Sequence, residues 1–333
     1  MRIWRLQELG DPIDELALVD EPSPHAGPGE VLVAVEAVGL AFPDVLQCRG
    51  EYQVKTRPGF TPGGELAGTV QALGDGVDHL SVGQRVVFLG GGGLAEQVTH
   101  PAAAVFPVPD GVSSESAAAI PINYCTTLYA LHDRGKLQAG ESVLVTGAAG
   151  GTGTAAIQLA KAAGATTIAI AGGSEKADLA RRVGADVVID HRETPDWVDA
   201  VREASGGGVD VAYDPVGGDT FHQARRCMGW DGRLLVIGFV AGIPEVATNH
   251  ALLKSYSIVG VHWGASLARR PDSLGEQMTT LLQMAADGTV DPPLYPAYPF
   301  EAAATALQDL AERRTWGKVV VSVSGSSGND ADA

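Results

Sequence analysis

The feature that most constrains the fold is one glycine-dense turn, Thr146-Gly147-Ala148-Ala149-Gly150-Gly151-Thr152-Gly153, set between the apolar run Val143-Leu144-Val145 and the helically spaced stretch Ala155 to Ala163. A strand that runs through glycines into a helix places free backbone N–H groups and the positive end of the helix dipole at one point. Those groups can face a phosphate, which side chains would keep away. Against the GxGxxG spacing, Ala148 stands at the first position, and Gly150 and Gly153 at the second and third. A lone glycine cluster is weak evidence, but this one opens a regular alternation. Further apolar runs follow at Thr167 to Ile170, Val187 to Ile189, Val209 to Ala212, Leu234 to Ile237 and Ile258 to Val261, with helical spacers between them. Six such strands predict a doubly wound α/β parallel sheet whose first loop, Gly150 to Thr154, takes a dinucleotide pyrophosphate.

The second strand carries the choice of dinucleotide. A site for NAD places an acid about 20 residues beyond the first loop, where it holds the ribose hydroxyls. Here that place is Ala171-Gly172-Gly173, followed by Ser174, Glu175 and Lys176. A hydroxyl and an ammonium suit a 2′-phosphate that a carboxylate would repel, so NADPH is expected over NADH. Glu175 could hold a ribose instead. Ser174 also reads as a helix N-cap, and Lys176 as a solvated helix residue.

Upstream, residues 1–120 alternate short β-type runs such as Val31 to Val35 and Arg85 to Leu89 with Gly- and Pro-rich turns, the pattern of a β domain. After 262 come two helical patterns and a last strand, Lys318 to Val323. The expected division is therefore a nucleotide domain over 121–262, a β domain from 1–120 and 263–324, and a disordered tail over 325–333. The 23 Lys and Arg against 40 Asp and Glu give a net charge of −17, which disfavours a nucleic-acid partner. No apolar run is long enough for a signal or membrane segment, so a cytoplasmic protein is expected. The three cysteines, Cys48, Cys125 and Cys227, lack CxxC spacing and indicate neither a disulfide framework nor a thiolate metal site.

Several stretches, in order and at matching spacing, resemble one family over nearly the whole chain. They are Gly39-Leu40-Ala41-Phe42-Pro43-Asp44, Arg49-Gly50-Glu51-Tyr52, Pro62 to Gly68, Pro121 to Thr127, the glycine loop, Asp190-His191-Arg192-Glu193, Tyr213 to Gly218, and Arg313 to Lys318. The chain is similar to the zinc-free medium-chain dehydrogenase/reductases, in the branch of the NADPH:quinone oxidoreductases and ζ-crystallin. That resemblance implies a GroES-like catalytic domain split around a Rossmann domain, and a homodimer joined along the sheet edge at Ser257 to His262. It also implies residue roles. Thr126 would meet the nicotinamide end. Gly150, Gly151, Thr152, Gly153 and Thr154 would meet the pyrophosphate, and Gly173, Ser174, Lys176, His191 and Arg313 the 2′-phosphorylated ribose. Ile237, Gly238, Phe239 and Val240, with Val261, His262 and Trp263, would line the nicotinamide side. Taken without the family, His191 reads as a surface residue, Phe239 and Trp263 as core, and Arg313 as part of a surface ion pair.

Two departures bear on chemistry. Ala41 stands where many relatives carry Asn. Gly64 stands where the zinc-dependent branch has His, and Gly90-Gly91-Gly92-Gly93-Leu94 runs on without a four-cysteine lobe, so no metal is expected. Without metal or nucleophile motif the cofactor carries the chemistry, and hydride transfer is the implied reaction. The acceptor is expected to be a quinone, with an α,β-unsaturated carbonyl or enoyl thioester as alternative and a non-enzymatic NADPH-binding protein as a second. Tyr52, an aromatic beside a turn, reads as packing. The resemblance instead makes it a proton donor beside the nicotinamide.

Overall fold

The structure, a computed structural model, describes residues 1–323, so the tail expected over 325–333 lies outside the described residues. The chain divides into two compact units, one built from 1–122, 278–286 and the segment from Leu294 onward, the other from 123–277 and 287–293.

The second unit is built on six parallel strands: β1 (Ser142–Val145), β2 (Thr166–Ala171), β3 (Val187–Asp190), β4 (Val209–Asp214), β5 (Met228–Val236) and β6 (Ser257–Gly260). Their order in the sheet is β3-β2-β1-β4-β5-β6. This is the doubly wound arrangement that the six apolar runs predict. Strands covered by helices on both faces are apolar throughout, and Val143, Leu144, Val145, Val211, Ala212, Leu234 and Leu235 are all fully buried. Each buried aliphatic side chain of the size of Val or Leu contributes about 1.5–3 kcal/mol relative to exposure. The order reverses between β1 and β4, and the crevice outside the carboxyl ends of these strands is where such sheets take ligands.

The first unit is a seven-stranded sheet organised on the long strand Glu30–Leu40. Strand Glu65–Leu73 pairs along one edge of it. Strands Gln97–Pro101 and Val319–Ser322 share the other edge, so the C-terminal strand returns to the β unit as its sequence suggests. Two register shifts along the pairing with Glu65–Leu73 curl the long strand, as bulges do. A small hairpin, Arg2–Leu6 with Leu16–Asp20, stands beside it.

The division differs from the expected one at the C-terminal side. Residues 263–277 and 287–293 belong with the parallel sheet, and only 278–286 and the part from Leu294 return to the β unit. Polar contacts tie these segments to that unit. Arg270 pairs with Asp133 at 2.9 Å, while within the segment the Trp263 indole N–H donates to Gln277 Oε1 at 2.8 Å. The Gln158 amide exchanges two hydrogen bonds with the backbone of Asp291, at 2.7 and 3.1 Å. Among the described residues, no helix is long and apolar enough to cross a membrane.

Candidate active site

The glycine loop leaves β1 at Thr146 and enters helix Gly151–Ala162 through Gly150, the N-cap. The first intrahelical bond runs from Thr154 N–H to Gly150 O at 2.9 Å, so the amides of Gly151, Thr152 and Gly153 precede the helical ladder and face outward. The three glycines are there for different reasons. A Cβ on Gly153 would lie 2.3 Å from the Gly147 carbonyl oxygen and one on Gly151 would lie 2.2 Å from Asn123 Nδ2. On exposed Gly150 the nearest atom would be 3.4 Å away, which is ordinary contact. Packing inside the protein demands the first two, whereas Gly150 keeps a side chain out of open space in front of free amides. That is the cradle a pyrophosphate requires, and these residues fit a dinucleotide.

At the end of β2, Gly173 has φ +91° and N-caps helix Ser174–Arg182. Asp190, the last residue of neighbouring β3, holds this corner: one carboxylate oxygen accepts both Gly173 N–H and Arg192 N–H at 2.9 Å. Those two bonds, more than nearby charge, hold the Asp190 carboxyl below its ordinary range. Two side chains close over the glycines. A Cβ on Gly172 would lie 2.5 Å from His191 Nε2, and one on Gly173 would lie 3.0 Å from Arg192 Nη1. His191 and Arg192 are both exposed, so both side chains face solvent at the corner. Of the predicted group, Gly173, Ser174, Lys176 and His191 are brought together here. Sequence reasoning missed Arg192, although it follows His191 directly.

The turn after β4 completes the crevice on the other side of β1. Buried Asp214 accepts Thr146 Oγ1 at 2.5 Å, Val216 N–H at 3.0 Å and Gly217 N–H at 3.3 Å. Burial pushes this carboxyl up while the three donors pull it down. It ties the glycine loop to the Pro215–Gly217 turn. Gly217 has φ +72°, and a Cβ there would lie 2.9 Å from Phe239 Cα, so the Ile237–Val240 segment crosses directly over it. Ile237 N–H donates to Asp214 O at 3.0 Å and Val261 N–H to Val236 O at 3.1 Å, so both follow the ends of their strands. Phe239 and Val240 remain 42% and 38% exposed, which excludes the core reading of Phe239. Trp263 is the reverse case: it is buried, and its one polar atom is satisfied by Gln277. The core alternative holds for Trp263, while His262 before it is exposed. Thr126 lies half-exposed on helix Pro121–Leu128, beside buried Thr127.

Tyr52 and Arg313 lie in the β unit. Arg313, at φ +59°, follows helix Ala303–Ala311. Tyr52 lies just beyond helix Phe42–Arg49, which ends at Gly50 with φ +70°. Ala41 caps that helix without a side-chain acceptor. Asp44 fixes its backbone instead, accepting Ala41 N–H at 2.8 Å and Gly63 N–H at 3.0 Å. Half-buried Tyr52 has its phenol pushed above the ordinary value, first by burial and then by the Asp44 charge. Behind this segment Glu65 and Lys318 form a buried ion pair, and Glu65 also accepts Ile122 N–H at 2.8 Å. All three cysteines are buried, and burial pushes the Cys48 and Cys227 thiols up to about 12, so they are not thiolates at neutral pH. Among the described residues, no three His, Cys, Asp or Glu side chains are grouped as a metal would need.

Comparison with known proteins agrees with this architecture. A family model described as the alcohol dehydrogenase GroES-like domain matches residues 27–110, and one described as zinc-binding dehydrogenase matches residues 151–286. The chain is 36% identical over 320 residues to quinone oxidoreductase-like protein 2 of Mus musculus, covering 95% of this chain and 90% of that protein. Among solved structures, quinone oxidoreductase of Escherichia coli complexed with NADPH is 29% identical with a TM-score of 0.88, over 97% of this chain and 100% of that one. CurK enoyl reductase is 29% identical with a TM-score of 0.87, over 96% and 98%. With a GroES-like β unit, a Rossmann sheet and these full-length likenesses, the chain belongs to the quinone oxidoreductase family of medium-chain dehydrogenase/reductases.

Proposed function

We propose that the chain is a zinc-independent NADPH-dependent oxidoreductase that transfers hydride to a quinone. The carrying observation is the corner at the ends of β2 and β3. Gly173, Ser174, His191 and Arg192 meet there, and the carboxylate of Asp190 is turned inward onto two backbone N–H groups. A corner that presents the Arg192 guanidinium, and whose strand-end carboxylate is already taken by two backbone N–H groups, favours a 2′-phosphate over free ribose hydroxyls, with exposed Glu175 as the opposing charge. Bound NADPH supplies the hydride. The chain's own residues then bind, orient and neutralise charge: the Gly151–Gly153 amides take the pyrophosphate, and exposed Phe239 and Val240 give an apolar wall for the nicotinamide. Thr126 meets the nicotinamide end, and Arg313 adds a cation for the 2′-phosphate.

In this reading a quinone takes up hydride and a proton and leaves as the hydroquinone. Tyr52 Oη is the proton donor that neutralises the developing oxyanion, and its raised pKa keeps it protonated at neutral pH. The same phenol favours a second reading, reduction of enones or enoyl thioesters, because the carbanion formed there must be protonated. The likeness to an enoyl reductase supports that reading. The deciding experiment is substrate-dependent NADPH oxidation over a panel of quinones and enones. Tyr52→Phe should retain NADPH affinity and lower kcat by about 10²-fold, more on enones than on quinones. A protein that binds NADPH and consumes none of it with any acceptor of the panel is a binding protein, and the enzymatic reading fails.

The assembly we propose is a homodimer through β6. Among the described residues that strand pairs only with β5, and Ile258 on it, Trp230 on β5, and Leu252 and Leu253 on the helix before it are 40–78% exposed. An unpaired edge flanked by large apolar side chains suits a second copy of the same edge.

A further inference from the structure

Tyr213 is fully buried on β4, and its hydroxyl meets the helix that carries Thr126. It lies 2.9 Å from Thr127 Oγ1. Thr127 spends its one proton on the Asn123 carbonyl oxygen at 2.7 Å. The phenol therefore donates to Thr127, and the hydrogen bonds run in one direction from Tyr213 through Thr127 to Asn123. Asn123 in turn packs on the loop, because its amide lies where a Cβ of Gly151 would stand at 2.2 Å. Helix Pro121–Leu128 is thus fastened to β4 and packed against the glycine loop, and Thr126, half-exposed on that helix, takes its place from the fastening.

We propose that Tyr213 is a positioning residue whose hydroxyl, through Thr127 and Asn123, holds the glycine loop at Gly151 in register with the Thr126 helix, and so sets affinity for the pyrophosphate–nicotinamide half of the cofactor. Phe would fill the same space and leave the Thr127 hydroxyl without its donor. In the buried setting the loss falls on these two segments and not on the corner at Gly173, which is held separately by Asp190. The inference rests on the NADPH reading above for its ligand arm, and its second arm needs no ligand.

The test uses the full chain carrying Tyr213→Phe, with Thr127→Val as a second variant that removes the same bond from the other side. NADPH and adenosine 2′-monophosphate are titrated by fluorescence and calorimetry, and amide exchange is followed in the nucleotide-free protein. The expected result is NADPH binding weakened about three- to ten-fold in each variant, adenosine 2′-monophosphate binding within two-fold of wild type, and faster exchange at Thr154 to Ala156 but not in β1 or β2. The double variant should lose little more than either single one, since both remove one bond. Unchanged exchange at Thr154 to Ala156 overturns the proposal, as does unchanged NADPH affinity in a folded variant. Equal weakening of both ligands overturns it too, because that marks general loosening. Wild-type protein that binds no NADPH defeats the cofactor reading, and the exchange result then decides the positioning role by itself.

Discussion

Arg192→Ala is the substitution that most directly examines the 2′-phosphate corner. The Arg192 backbone is fixed by Asp190, and its guanidinium lies so close over Gly173 that a Cβ there would be 3.0 Å from Nη1. A charge-assisted hydrogen bond to phosphate contributes about 1.5–3 kcal/mol. Arg192 is exposed, so solvent screening brings the expected loss to about 1–2 kcal/mol, or roughly 5- to 30-fold in Kd. NADH carries no 2′-phosphate, and its Kd should move less than two-fold. Both constants would be measured by nucleotide fluorescence at low and moderate ionic strength. The wild-type preference for NADPH should shrink with salt, and that of the variant should shrink less. Equal changes for NADPH and NADH, or no change in either, would refute the assignment of a phosphate to this corner.

Three further outcomes follow from the two units. Lys318→Met leaves Glu65 buried without its partner and should cost about 3–5 kcal/mol in urea unfolding, while the double variant with Glu65→Gln should recover at least half; a loss below about 1 kcal/mol would show that the pair is better solvated than its burial implies. Chelator dialysis should leave turnover and Tm unchanged, and stoichiometric zinc in the purified protein by elemental analysis would overturn the metal-free reading. Leu252→Glu with Leu253→Glu should convert a dimer to a monomer in sedimentation without lowering NADPH affinity, and an unaltered dimer would move the interface away from β6.

The sheet was legible because parallel strands covered on both faces read as continuous apolar runs, and the six runs from Val143 to Val261 mark its six strands. Gly150 and Gly153 were legible by spacing alone, but their different reasons were not. Only the fold shows that a Cβ on Gly153 would clash with Gly147 O at 2.3 Å while one on Gly150 would make only ordinary contact with the same oxygen at 3.4 Å. Arg192 was hidden for a related reason. Its nearness to Gly173 depends on one carboxylate, Asp190 at the end of β3, accepting the N–H groups of both Gly173, just beyond β2, and Arg192. That pairing could have been inferred, since β2 and β3 are neighbours in the sheet order and the residues following both must face each other. The aromatic residues were beyond such reasoning. Phe239 and Trp263 follow the apolar strand ends in the same way, yet Phe239 is held over Gly217 with its ring in solvent, whereas Trp263 turns inward because Gln277, 14 residues on, satisfies its indole N–H. A buried polar atom needs its partner, and whether one is within reach is decided by the fold around the residue and not by the pattern that contains it. A polar partner also bears on the expected boundary at 263: the segment stays with the parallel sheet, where Arg270 pairs with Asp133.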